Sequence, residues 1–188
     1  GKTEELIRLI TRARIAKKEV IAFKHSLDTQ RAGTVFLKSH SGIQYPAIAV
    51  NKASDILDEL KKRHFQVDVV AVDEAQFFSR KDAPNLVEVV FEIVNRGITI
   101  IISGLDTDFR GLPFGLMPEL LAIADKVQKL TAICMVCGKE ATLTQRLING
   151  NPAPFSAPTI VVGAEEIYRA VCRDCHFVPG FPKILYTS

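Results

Sequence analysis

No apolar run in this 188-residue chain reaches the roughly 18 residues that a membrane-spanning helix needs. No basic stretch leads into an apolar one as a secretory signal would, so the expected location is cytoplasmic. Internal repeats and low-complexity runs are also missing, which argues against solenoids and disordered tracts. A large excess of either charge is missing: the net charge of +3 fits an anionic ligand such as a nucleotide but gives no pronounced basic stripe for nucleic acid. Cysteine is confined to four positions, all between Cys134 and Cys175. Two close pairs in a reducing compartment favour metal over disulfides. What remains is an ordinary globular composition, 47% apolar, with length for one good core or a domain plus a small appendage. The chain opens Gly1-Lys2-Thr3 rather than on Met, and we expect it to begin inside a longer one.

The organising stretch is Val69-Val70-Ala71-Val72-Asp73-Glu74-Ala75-Gln76-Phe77-Phe78. Phe65 to Val72 reads as a buried, valine-rich strand, interrupted by Gln66 and Asp68 and ending at two adjacent acids. Ligands of open α/β sheets sit beyond the carboxyl ends of strands. One carboxylate there can hold Mg²⁺, directly or through water, and the other can take a proton. The alternative is that the acids only solvate a strand end.

Around this strand, helical and strand patterns alternate. Leu6, Ile7, Leu9, Ile10 and Ala13 form the apolar stripe of a first helix, with Glu4 and Glu5 in its first turn. Gly1-Lys2-Thr3 before that helix matches the second half of a phosphate loop, in which Lys reaches the β/γ-phosphates and the hydroxyl holds Mg²⁺. Short strands are expected at Val20–Phe23 and Ala47–Val50, with an edge strand at Thr34–Leu37. Ser54 is expected to cap a helix over Asp55–Arg63, and a second helix runs over Leu86–Asn95 to a stop at Gly97. Ile98–Ile102 is a further buried strand, and Met117–Asp125 a last helix. This alternation predicts an α/β fold with a parallel sheet. His25 and His40 are read as structural or solvent-facing.

Between Leu105 and Gly115, Phe109 and Phe114 lie in a glycine-rich loop at a strand end. Aromatic faces there can wall a flat ligand, or can simply pack the loop on the core. Cys134-x-x-Cys137 and Cys172-x-x-Cys175, separated by 34 residues, suit a tetrahedral zinc site, and four thiolates leave no open position for catalysis. The segment between them, loop-like at Asn149–Pro158 with a strand candidate at Thr159–Val162, could act as a lid clamped at its base.

Together these residues resemble the type II thymidine kinases. The matching motifs are Gly1-Lys2-Thr3, Asp73-Glu74-Ala75-Gln76-Phe77-Phe78, Gly104-Leu105-Asp106 through Phe109 to Pro113-Phe114-Gly115, both cysteine pairs, and Gly163 through Tyr168. The resemblance implies a P-loop-type parallel sheet flanked by helices over residues 1–130, its first strand and the first half of its phosphate loop lying upstream. It also implies a zinc-ribbon-like lid domain over 131–180 and a tail over 181–188. Glu74 would be the general base that takes the proton of the nucleoside 5′-hydroxyl. Asp73 would hold Mg²⁺ through water, and Gly1, Lys2 and Thr3 would serve the ATP phosphates. Phe77, Leu105, Phe109 and Phe114 would surround thymine, with Thr144 and Tyr168 near it and backbone groups of Val161, Val162 and Gly163 on the base edge. Cys134, Cys137, Cys172 and Cys175 would bind a structural Zn²⁺. The family implies a homotetramer inhibited by thymidine triphosphate, with thymidine and ATP as its ligands and neither nucleic acid nor membrane as partner. Where the family has Asp, one residue, then Arg-Tyr, this chain has Asp28-Thr29-Gln30-Arg31-Ala32, and Arg31 is given no role.

Two other readings use the same residues. Asp73-Glu74-Ala75-Gln76 also resembles the acidic motif of a helicase-like motor, although 188 residues leave no room for a second ATPase lobe. A non-catalytic zinc-ribbon binding module would need only the cysteines.

Overall fold

The computed structural model describes residues 1–28, 34–38, 42–160 and 167–182. The chain forms two compact units, one of residues 1–106 and 114–127, the other of 107–113 and 128–188.

The first unit is built on a five-stranded sheet. Its strands are β1 (Val20–His25), β2 (Thr34–Lys38), β3 (Gln44–Val50), β4 (Val69–Asp73) and β5 (Thr99–Ile102), in the order β2-β3-β1-β4-β5. β3, β1, β4 and β5 run parallel, while β2 is an antiparallel edge. The helices are α1 (Lys2–Ile15), α2 (Ala53–Lys62), α3 (Leu86–Val94) and α4 (Met117–Ile123).

Alternation along the central strands assigns the two faces. Ile21 and Phe23 of β1 and Val70 and Val72 of β4 pack with Ile56 and Leu60 of α2, Val89 and Ile93 of α3, and Leu120 of α4. Ala22 and Ala71 point the other way, into a smaller core with Leu6, Ile7 and Ile10 of α1. Small side chains on that face let α1 lie close to the sheet. All five residues of β4 are buried, as expected of a strand covered on both sides.

The expected strand over Phe65–Val72 is shorter at its start. Phe65, at φ 55, still belongs to the turn that ends α2, and the ladder begins at Val69 and takes in Asp73. Ser54 is not the cap of α2; it lies within the first turn, and Asp55 reaches back to accept from the backbone N–H groups of Asn51 and Lys52 at 3.0 and 3.1 Å. Asn85 caps α3, accepting from Val87 and Glu88, and Glu88 accepts in return from the Asn85 N–H.

In the second unit, β6 (Ala132–Ile133) and β7 (Glu140–Ala141) make a small hairpin, and β8 (Leu143–Ile148), β9 (Asn151–Pro152) and β10 (Ile167–Val171) a three-stranded antiparallel sheet. Asn149 and Gly150 join β8 to β9 with φ of 50 and 79°, the backbone that a two-residue type I′ turn requires. Thr159 and Ile160 lie outside any strand.

Candidate active site

Asp73 ends β4 and is 1% exposed. Alternation puts its side chain on the same face as Ala71, towards α1. There Thr3 Oγ1 donates to Asp73 Oδ2 at 3.1 Å. The parallel register sets the buried Lys24 of β1 beside it. Asp73 Oδ1 is buried and finds no hydrogen-bond partner among the described residues; the same holds for Ser103 Oγ at the neighbouring end of β5. Buried polar atoms are rarely left unpaired. Two such oxygens at adjacent strand ends, beside a carboxylate and a threonine hydroxyl, fit an oxygen-preferring cation with its waters.

Glu74 follows in the left-handed region, φ 58 and ψ 40. Non-glycine residues seldom adopt this conformation, and those that do cluster at functional sites. The turn swings the chain out of β4 into a 3₁₀ turn over Ala75–Phe77. Gln76, 2% exposed, donates from Nε2 to Glu74 Oε2 at 2.6 Å and accepts the Leu105 N–H on Oε1 at 3.0 Å. The half-buried rings of Phe77 and Phe114 meet edge to face at 5.9 Å. His25, 5% exposed, lies 6.0 Å from Phe77 and 4.7 Å from Phe78 between ring centroids. Its Nδ1 accepts the Leu27 N–H at 3.1 Å. Burial pushes the His25 imidazole down, against a backbone hydrogen bond at Asn51 and the carboxylates of Asp82 and Asp55. The first unit thus gathers Thr3, Asp73, Glu74, Phe77, Leu105 and Phe114 at one end of the sheet. Lys2 and Gly1 open α1, with Gly1 at its N-cap.

Phe109, Thr144 and Tyr168 belong to the second unit. Phe109 is 3% exposed and packs with Ala153 and Val178. Its loop is fixed by Asp108, which accepts from the Arg110 and Leu112 N–H groups and pairs with the Arg110 guanidinium at 2.6 Å. The β8–β10 register pairs Tyr168 with Arg146 and Ala170 with Thr144, so Thr144 and the half-exposed Tyr168 share one face of the sheet. Val161, Val162, Gly163 and Arg31 lie outside the described residues.

The sequence alone assigns no part to Gln76, Lys24, Asp108 or Arg146. Arg146 is 2% exposed, donates to the Pro158 carbonyl and sits 5.3 Å from the Phe109 ring. A charged residue inside an alternating strand was the available signal.

The four cysteines converge: their sulfurs all lie within 4.8 Å of one another. Tetrahedral Zn–S bonds of about 2.3 Å would set them roughly 3.8 Å apart. The two knuckles are tied by the Met135 N–H to the Ala170 carbonyl at 3.0 Å. Burial pushes the Cys134 thiol up, but backbone hydrogen bonds at Cys172, Val136 and Cys137 outweigh it and bring it down to about 6. Hydrogen bonds with Cys137 and Cys172 push Cys175 up to about 12. One thiolate-prone sulfur among crowded thiols is a donor set suited to a soft cation.

A family model for thymidine kinase matches residues 1–176. The thymidine kinase of Coprothermobacter proteolyticus is 53% identical over 186 residues, which cover 99% of this chain and 89% of that protein. The motor and the zinc-ribbon module are not favoured by these matches. The chain belongs to the thymidine kinase family, and is an enzyme that phosphorylates thymidine with ATP as donor.

Proposed function

We propose that phosphoryl transfer runs at the carboxyl ends of β4 and β5, with Glu74 as general base for the thymidine 5′-hydroxyl. The observation that carries this reading is the pairing of Asp73, held by Thr3 and keeping one buried oxygen unpartnered, with the adjacent Glu74 in a strained turn. Phosphoryl transfer asks the protein mainly for positioning and charge neutralisation. Asp73 and Thr3 would hold Mg²⁺, which when bound spreads charge off the transferring phosphate. Lys2 and the N–H groups opening α1 would bind the phosphates. Glu74 takes the hydroxyl proton as the oxygen attacks the γ-phosphorus, and ADP leaves. Phe77, Leu105 and Phe114 form an apolar wall suited to a pyrimidine face.

A structural Zn²⁺ held by Cys134, Cys137, Cys172 and Cys175 fits the clustered sulfurs. The family resemblance supports a cytoplasmic homotetramer inhibited by thymidine triphosphate and accepting deoxyuridine. Among the described residues no helix is long and apolar enough to cross a membrane. The test is ATP-dependent phosphorylation over a nucleoside panel. Product from thymidine and deoxyuridine, but not from deoxycytidine or purine nucleosides, is expected; ATP turnover indifferent to nucleoside would refute the proposed site.

A further inference from the structure

We propose that Gln76 is a positioning residue whose buried carboxamide clamps the Glu74 carboxylate to the backbone of the loop carrying Leu105. This rests on the reading of Glu74 as general base. The orientation of the carboxamide is not arbitrary. The Leu105 N–H can only donate, so it must face Oε1, at 3.0 Å. Nε2 is thereby turned to Glu74 Oε2, at 2.6 Å, and can only donate to it. A donor fixed in this way favours the ionised carboxylate, the form a base needs.

The surroundings leave the clamp no slack. A Cβ on Gly104 would come within 2.9 Å of Gln76 Oε1 and 2.8 Å of Met117 Sδ. A Cβ on Gly115, at φ +56, would stand 2.4 Å from the Gln76 carbonyl oxygen. Glycine at both positions lets the Gly104-Leu105 and Gly115 backbones close on Gln76 from either side. The left-handed backbone of Glu74 needs such over-determination to persist.

Two substitutions separate the donor from the acceptor. Gln76→Met keeps length and approximate volume and removes both bonds. Gln76→Glu can still accept from the Leu105 N–H but sets a carboxylate against Glu74. We expect kcat for thymidine phosphorylation to fall about tenfold in Gln76→Met and further in Gln76→Glu, with KM for thymidine and ATP within about twofold of the parent, since only transition-state positioning is lost. In a Glu74→Gln background, Gln76→Met should add no further loss, because its effect passes through Glu74. Parent-like kcat in Gln76→Glu would overturn the proposal. So would an equal fold-loss from Gln76→Met in both backgrounds, the mark of a general structural role. Should Gln76→Met fail to fold, Gln76→Glu decides. Near-normal kcat in Glu74→Gln alone would instead refute the general-base reading and the proposal with it, so the two failures are distinguishable.

Discussion

Thr3 and Asp73, 70 residues apart in the chain, are joined by a 3.1 Å hydrogen bond from hydroxyl to carboxylate. The bond links the first turn of α1 to the end of β4, so the helix proposed to bind phosphate and the acid proposed to hold the metal are set as one object. Thr3→Val keeps the shape and deletes the donor. Leaving one more Asp73 oxygen unpaired should cost about 1–3 kcal/mol. Urea unfolding would show a lower midpoint at unchanged slope, and KM for ATP with Mg²⁺ should rise about tenfold or more. Parent-like values on both measures would mean the contact is incidental.

Glu74→Gln removes the proposed base at nearly constant volume. Turnover should fall by roughly 10²–10⁴, the usual contribution of a general base, with little change in melting temperature. Steady-state kinetics beside a thermal melt checks both halves.

Removing Cys172 should abolish binding of the proposed zinc and loosen the second unit. Cys172→Ser is expected to lose stoichiometric zinc by elemental analysis and to lower the melting temperature, since structural zinc contributes about 10 kcal/mol or more in small isolated domains. Full zinc content with an unchanged melt would refute the four-cysteine site.

Gly115→Ala forces a side chain into φ +56 and within 2.4 Å of a backbone oxygen. The strain should cost about 1–3 kcal/mol, a drop of several degrees in melting temperature. Gly138→Ala, where a Cβ meets nothing within 4 Å although φ is +77, should cost less. Equal losses would assign the whole effect to φ.

His25 makes stability depend on pH. Burial holds its pKa below that of the unfolded chain, so the unfolded state binds the proton first. Its contribution is complete above the unfolded value of about 6.5 and is lost progressively as pH falls from there towards the lower folded pKa. Denaturation midpoints measured between pH 7.5 and 5.5 should decline, and the decline should flatten in His25→Asn.

The sheet was legible because its physics is local. The run Val69–Val72 is apolar enough to be buried on both faces, and Asp73-Glu74 is an abrupt polar stop. The cysteine knuckles were legible because chelate spacing is written in sequence. What escaped depends on through-space pairing. Gln76 has no periodic signature; its part arises where the Leu105 N–H comes to face it. The loop aromatics Phe109 and Phe114 look equivalent in sequence, yet one is buried with Ala153 and Val178 while the other meets Phe77. Asn149-Gly150 is the strongest short hairpin signal, but the prolines that follow it give the segment the composition of a loose loop. The Asn85–Glu88 capping box is legible from its spacing.

Neither compact unit is a continuous piece of chain, because residues 107–113 leave the first and return at Phe114. This has a consequence during synthesis. Phe109 emerges from the ribosome some 40 residues before Ala153 and nearly 70 before Val178, the residues that bury it. Until then a large apolar side chain waits without its partners, on a turn held by local bonds of Asp108 with Arg110, Gly111 and Leu112. Nascent chains stalled shortly after α4 should therefore bind hydrophobic dyes or holdase chaperones through this turn, and chains extended past Val178 should release them.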